Sequence, residues 1–305
     1  MWGVFRSIAR HGRMMLVAGL LAGLALPAVA GFVRPFIPEL VATLLFLTAL
    51  RIGPEAAFGG MREAGRSVVL VLVYQLAAPL LVLALVAFFG GAATPLGLVV
   101  VLMLAAPSVT GAPNFAILMG QDPAPALRML LLGTALLPLT VIPVLWALPA
   151  LGPMSVVLAA AAKLFAVIMG ACAFGFLLHR ILPKEPDKSV LDGMTAVLLA
   201  VVVVGLMAAL GPALIETPLL VLEWLVVALV LNLGLQVLAD RALRRVEHPA
   251  PAGPAIIAGN RNIALFLVAL PEHITAPLMI FIGCYQIPMY LTPILMRPIH
   301  ARALA

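Results

Sequence analysis

The strongest constraint on this chain is where its charges are missing. Asp, Glu, Lys and Arg make up 10% of 305 residues, and they sit mainly in short gaps between long apolar runs. The runs fall at about 14–32, 35–50, 67–89, 96–119, 127–148, 154–178, 190–210, 217–238, 252–271 and 274–296. A helix needs about 20 apolar residues to cross the hydrocarbon core of a bilayer. The sequence therefore predicts an all-α polytopic membrane protein of ten transmembrane helices. Its 64% hydrophobic content excludes an ordinary soluble domain, for which roughly 45–50% is usual. The 26 prolines and 25 glycines are tolerated in a bundle whose neighbouring segments re-satisfy freed backbone groups, so they mark candidate breaks. The second run is short, and the stretch 51–67 that follows it reads as an interfacial amphipathic piece.

The cations sort by side. With a retained first helix and a cytoplasmic N-terminus, the inner ends and loops collect Arg6, Arg10, Arg13, Arg51, Arg62, Arg66, Arg128, Arg180, Lys184, Lys188, Arg241, Arg244, Arg245, Arg297 and Arg302. These are 15 of the 18 Lys and Arg residues. Only Arg34 falls outside, and Lys163 and Arg261 lie within spans. This obeys the positive-inside rule and predicts an inner-membrane protein with both termini cytoplasmic. The competing reading of the N-terminus is a secretory signal peptide, in which Arg6, Arg10 and Arg13 precede an apolar run ending at Ala28-Val29-Ala30. The net charge of +6 belongs to segment ends facing lipid rather than to a soluble basic domain, which argues against nucleic acid. Cys172 and Cys284 form no metal or disulfide pattern, no metal site or cofactor is expected, and no nucleotide loop, HExxH or nucleophile elbow occurs. Asp122 and Asp192, near inner segment ends, are single acids and lend an intramembrane enzyme little support.

Division after the fifth run, into 1–150 and 151–305, gives two halves of five crossings. An odd number per half makes them insert in opposite senses, as inverted repeats. Equivalent runs carry the polar interruptions. The fourth holds Ala106-Pro107-Ser108-Val109-Thr110-Gly111-Ala112-Pro113-Asn114, and the ninth holds Pro254 and then Gly259-Asn260-Arg261-Asn262. A broken membrane helix leaves amide donors at one half-helix start and carbonyls at the other half's end. Thr110, Pro113, Asn114, Asn260, Arg261 and Asn262 are therefore expected to line a crossing that binds an anion; the competing reading is that Pro107 and Pro113 merely kink a packed helix.

Arg261 is the sharpest residue, because a guanidinium at the bilayer centre is normally paired or directed into a polar cavity. Holding a substrate carboxylate and pairing internally with Glu223 both fit. Lys163 and Glu223 lie at similar depth from the outer side, which permits a gating charge pair, a structural salt bridge or snorkelling. Gln75, near Tyr74 and Pro79, adds a polar point; Asn232, Gln236, Tyr285 and Gln286 are weaker candidates, and Glu272 and His273 read as an outer loop.

The ten-crossing plan, the Pro-marked break ending in Asn114, the Asp122 turn and the Gly259-Asn260-Arg261-Asn262 stretch together resemble the bile acid:sodium symporter family, within the wider group of arsenite and auxin-efflux-type carriers. The resemblance implies a panel domain of helices 1, 2, 6 and 7 and a core domain of helices 3–5 and 8–10. It further implies crossed, unwound helices 4 and 9, substrate binding beside the crossing, and alternating access. One departure matters. Where sodium-coupled members carry a glutamate and a glutamine, this chain has Ile257 and Arg261, and their hydroxyl ligands match approximately Ala126 and Leu130; Asn262, Asn114 and Gln75 are retained. The expected function is a secondary transporter of a small or amphipathic organic anion in which Arg261 replaces the charge of bound sodium, leaving a proton or no coupling ion. A sodium-coupled symporter is the runner-up, ahead of an efflux carrier and of an intramembrane enzyme or receptor.

Overall fold

The computed structural model describes residues 2–59, 64–182, 187–246 and 252–301. All regular elements among them are helical. The chain opens with α1 (Trp2–Arg10), α2 (Gly12–Ala25), α3 (Pro27–Val33) and α4 (Ile37–Gly59). The first apolar run is thus divided at Leu26, since Pro27 starts a new helix where its missing N–H costs nothing. α4 turns at Gly53, whose φ of 71° suits glycine, and continues through Pro54, so the expected interfacial piece begins as an extension of this helix; its residues 60–63 lie outside those described.

α5 (Ala64–Leu72) and α6 (Ala78–Phe88) are one rod joined by a π turn at Val73–Ala77. Next come α7 (Pro95–Ala105), α8 (Ala112–Leu118) and α9 (Ala124–Ala147), then α10 (Met154–Ile181), α11 (Lys188–Leu206) and α12 (Leu210–Glu216). α13 (Pro218–Leu229) and α14 (Leu235–Val246) form a second rod with a π turn, Val230–Gly234. The chain ends with α15 (Ala252–Gly259), α16 (Phe266–Ala269), α17 (Glu272–Thr275), α18 (Met279–Leu295) and α19 (Arg297–Ala301). Six stretches among the described residues are long and apolar enough to cross a membrane: Pro27–Glu55, Ala64–Phe88, Ala124–Ala147, Met154–Ile181, Lys188–Glu216 and Pro218–Val246. Met14–Ala25, Pro95–Ala105 and Met279–Leu295 are shorter apolar helices. The chain is an integral membrane protein by the length and composition of these helices.

Two packing groups emerge. α4 packs on both α10 and α11, with α1, α2 and α3 laid along α11. In the other group α5 and α15 pack on α9, α6 on α7, α14 on α15, and α13 on α18. The groups meet where α10 touches α9 and α16, where α4 touches α16, and where α18 touches α11 and α12. Ionic contacts collect at the ends. Arg6 Nε donates to Asp187 at 2.9 Å, Arg51 pairs with Asp192, and His179 Nδ1 lies 2.7 Å from the Leu50 carbonyl. Asp240 joins Arg244 and His300, and Gln121 reaches the His300 carbonyl. Asp122 accepts from the Ala124 amide at 2.9 Å. Arg34 and Glu272 pair at 3.2 Å, linking the turn before α4 to α17.

Candidate functional site

The fourth run breaks because Pro107 disfavours helix at Ala106, whose φ and ψ of −64° and 147° are extended. Pro113 then restarts a helix near the first turn of α8. In the ninth run α15 stops at Gly259 and Asn260–Asn262 are non-helical, Asn262 with φ and ψ of −90° and 67°, before a short 3₁₀ turn. The two breaks meet as an isolated antiparallel bridge at Ser108 and Arg261. Val109 N–H donates to the Asn260 carbonyl at 3.0 Å, and Asn262 N–H to the Pro107 carbonyl at 2.8 Å. Each interruption therefore satisfies backbone groups freed by the other, which is what permits extended chain at this depth.

Arg261 is 2% exposed. Its Nε donates to the Ala258 carbonyl and its Nη1 to the Ala106 carbonyl, both at 3.1 Å. Those carbonyls end α15 and α7, so one guanidinium bridges the C-terminal, electronegative ends of both interrupted helices. The Tyr74 ring lies 5.0 Å from its Cζ, a cation–π contact. The Tyr285 hydroxyl accepts from the Arg261 N–H at 2.9 Å and donates to the Gly259 carbonyl.

A buried amide network stands behind the crossing. Asn232, central in the second π turn, donates from Nδ2 to the Gly259 carbonyl at 2.6 Å and to Asn260 Oδ1 at 3.1 Å. Gln236 Nε2 donates to Asn232 Oδ1, and the Thr292 hydroxyl lies 3.2 Å from Asn260 Oδ1 and 3.3 Å from Asn232 Oδ1. A Cβ on Gly259 would stand 1.9 Å from the Asn232 carbonyl oxygen, so only glycine admits this approach. Gln75 holds the corresponding centre of the first π turn, where Thr140 Oγ1 donates to its Oε1 at 3.3 Å and Gly133 makes room for its amide. Single π turns of this kind often mark functional places in a helix.

Thr110, Arg261 and Asn262 line a cavity of about 40 Å³ with Gln286 and Tyr290 of α18; Leu44 of α4 and Val203 of α11 contribute to its apolar wall. The cavity lies where the two packing groups meet. Thr110, Asn260, Arg261 and Asn262 thus stand at the crossing, whereas Gln75 makes its contacts with Thr140 and Gly133 of α9. Pro113 shapes the start of α8, whereas Asn114 is exposed on the face of α8 opposite buried Phe115.

The expected charge pair does not form. Lys163 and Glu223 are both exposed and no ion pair joins them. The buried stripe of α10 runs through Ala160, Ala161, Leu164 and Ile168, and that of α13 through Val221, Trp224 and Ala228. Both charged residues fall off these stripes. Glu223 is also not the partner of Arg261, whose side-chain bonds go to carbonyls. Ile257, Ala126 and Leu130 are all buried in hydrocarbon packing. Sequence reading undervalued Asn232, Gln236 and Tyr285 and missed Thr292 and Tyr290. A usable signal was the i, i+4 spacing of Asn232 and Gln236 and the i, i+7 spacing of Tyr285 and Thr292, each repeating one helix face. No protein-family model matches the chain, and no curated protein matches it significantly.

Proposed function

We propose that this protein is a secondary carrier of organic anions whose crossing is held by a built-in cation, Arg261, in place of a bound one. The observation carrying this reading is the guanidinium shared by the Ala106 and Ala258 carbonyls. Two helix C-termini converging in a membrane need positive charge, worth up to about 2 kcal/mol per end in partly buried settings. Sodium supplies such charge only through several close oxygen ligands, and the hydrocarbon at Ile257, Ala126 and Leu130 supplies none from its side chains.

The carrier architecture is ten crossings in two inverted halves, with helices 1, 2, 6 and 7 forming a panel and helices 3–5 and 8–10 a core that move relative to one another. Three correspondences support it. Each half has a π turn centred on a buried amide, Gln75 and Asn232, and that amide meets a threonine on the last long helix of its half, Thr140 and Thr292. Gly133, Pro138 and Pro143 of α9 recur 150 residues later as Gly283, Pro288 and Pro293 of α18. The two interrupted helices cross each other at Ser108 and Arg261. This plan, with the Arg261 substitution, favours a bile acid:sodium symporter-like carrier at the inner membrane with both termini cytoplasmic.

Uptake by proteoliposomes, using a panel of radiolabelled carboxylates, tests the reading. Replacing sodium by choline is expected to leave transport unchanged within twofold, with a pH gradient supplying any drive. Strict sodium dependence would sink the built-in cation and leave the sodium-coupled alternative standing.

A further inference from the structure

The rod of α13, the second π turn and α14 turns one continuous face away from the bundle. Val230, Gly234, Leu238, Arg241 and Arg245 are all exposed and follow one another at steps of three or four residues, opposite the buried stripe of Gln236, Ala239, Asp240 and Leu243. The chemistry of this face changes along its length. Val230 and Leu238 are apolar, and a Cβ on Gly234 would meet nothing within 4 Å, so the glycine leaves a notch between them. Arg241 and Arg245 then stand as i, i+4 neighbours, and neither joins an ion pair among the described residues. Asp240 and Arg244, which alternate with them in sequence, are engaged with each other and with α19. At its other end the face runs into an apolar groove of about 440 Å³ between the rod and the α6–α7 hairpin, lined by Val226, Val230 and Leu231 and by Leu85, Phe89 and Val100. Thr94 alone among the described lining residues has a polar side chain, and its hydroxyl donates to the Gly91 carbonyl. Val230 and Arg241 are eleven residues apart, about 16 Å along a helix, which matches the roughly 15 Å that one leaflet contributes to the hydrocarbon core.

We infer that this face holds an anionic phospholipid of the leaflet at the α14 end: its phosphate lies between Arg241 and Arg245, and one acyl chain runs over Gly234 and Leu238 to end in the groove. Two guanidiniums one turn apart match the oxygens of a phosphate and favour a head group with net negative charge. The spacing selects a lipid as the occupant. A charged head joined to a hydrocarbon chain one leaflet deep meets both ends of the face, whereas a second copy of the chain would offer Arg241 and Arg245 their own like charges. The inference rests on the membrane placement alone and stands apart from the organic-anion reading.

The test uses the full-length protein in detergent, with dipalmitoyl phosphatidylglycerol and dipalmitoyl phosphatidylcholine added in equal amounts and the retained lipid counted by native mass spectrometry. An arginine near an anionic head group is worth about fivefold in binding, so the wild type is expected to retain the glycerol lipid at least tenfold over the choline lipid. Arg241→Gln combined with Arg245→Gln should bring that ratio to within twofold of one. Arg180→Gln combined with Lys188→Gln removes the same charge from exposed positions on α10 and α11 and should leave the ratio within twofold of the wild type. Gly234→Leu fills the notch without a clash and should lower retention of the glycerol lipid at least threefold at an unchanged thermal midpoint. An equal loss of preference in both double variants overturns the site in favour of diffuse surface charge. Unchanged retention in G234L overturns the path assigned to the acyl chain. A wild type without preference, or one that sheds lipid as it forms dimers, overturns the whole inference and leaves the organic-anion reading untouched.

Discussion

At the scale of single residues, the crossing has almost no slack. Arg261→Ala would strand the Ala106 and Ala258 carbonyls and leave a void under Tyr74. Removing one member of a buried charged contact typically costs about 3–5 kcal/mol, so R261A is expected to lower the thermal midpoint steeply in detergent. Arg261→Lys keeps the charge but has no planar fork to reach both helix ends, and should recover less than half of that loss. Gly259→Ala should be at least as damaging, because its Cβ would meet backbone that cannot move without unwinding the π turn at Asn232; about 3 kcal/mol or more is expected, read from thermal unfolding. Arg261 was visible in the sequence as an expensive residue. Its partners were not, because carbonyl oxygens carry no sequence signature and any residue supplies one.

Among the elements, the interrupted helices and the C-terminal helix behave differently. The breaks were legible because Pro107 disfavours helix before it, Pro113 suits the first turn of a new helix and Gly259 ends α15, each for a local reason. The π turns were not, since neither Val73–Ala77 nor Val230–Gly234 contains a breaker at its centre, and both arise from the fit of Gln75 and Asn232 to neighbours. At the other extreme of the bundle, α19 is docked by fully buried His300, with Nδ1 3.2 Å from Asp240, while Arg244 donates to the Ile299 carbonyl. Burial, reinforced by Arg244, lowers the His300 pKa against the opposing pull of Asp240. A depressed histidine favours the neutral folded form, so its contribution is complete above the unfolded value near 6.5 and is lost as pH falls through the lower folded value. Hydrogen-exchange protection factors at residues 297–301, corrected for the intrinsic rate at each pH, should therefore fall between about pH 7 and pH 5, and His300→Gln should flatten that dependence.

For the molecule as a whole, several contacts join the two packing groups. α16 touches α4 and α10, α12 touches α18, and Arg34 reaches Glu272. These are the ends that the distribution of Lys and Arg assigns to the outside. On the proposed carrier reading alternation must part them, so a reducible thiol-to-thiol cross-linker joining Arg34→Cys and Glu272→Cys is expected to reduce proteoliposome uptake at least tenfold, with recovery on reduction. Neutralising the exposed ion pair alone should change stability by less than about 1 kcal/mol. The sequence by itself determined the membrane class, the long apolar runs, the two breaks and the anomaly at Arg261, because apolar run length, proline stereochemistry and charge cost act locally. Only the tertiary structure decided how each helix is rotated. It turned Lys163, Glu223 and Asn114 outward and brought Asn232, Tyr285, Tyr290 and Thr292 inward. The physical reason is that a helix apolar on every side has no wet face to orient it: lipid and core accept the same leucines and valines, so rotation is settled by close packing and by the few polar groups that must find one another.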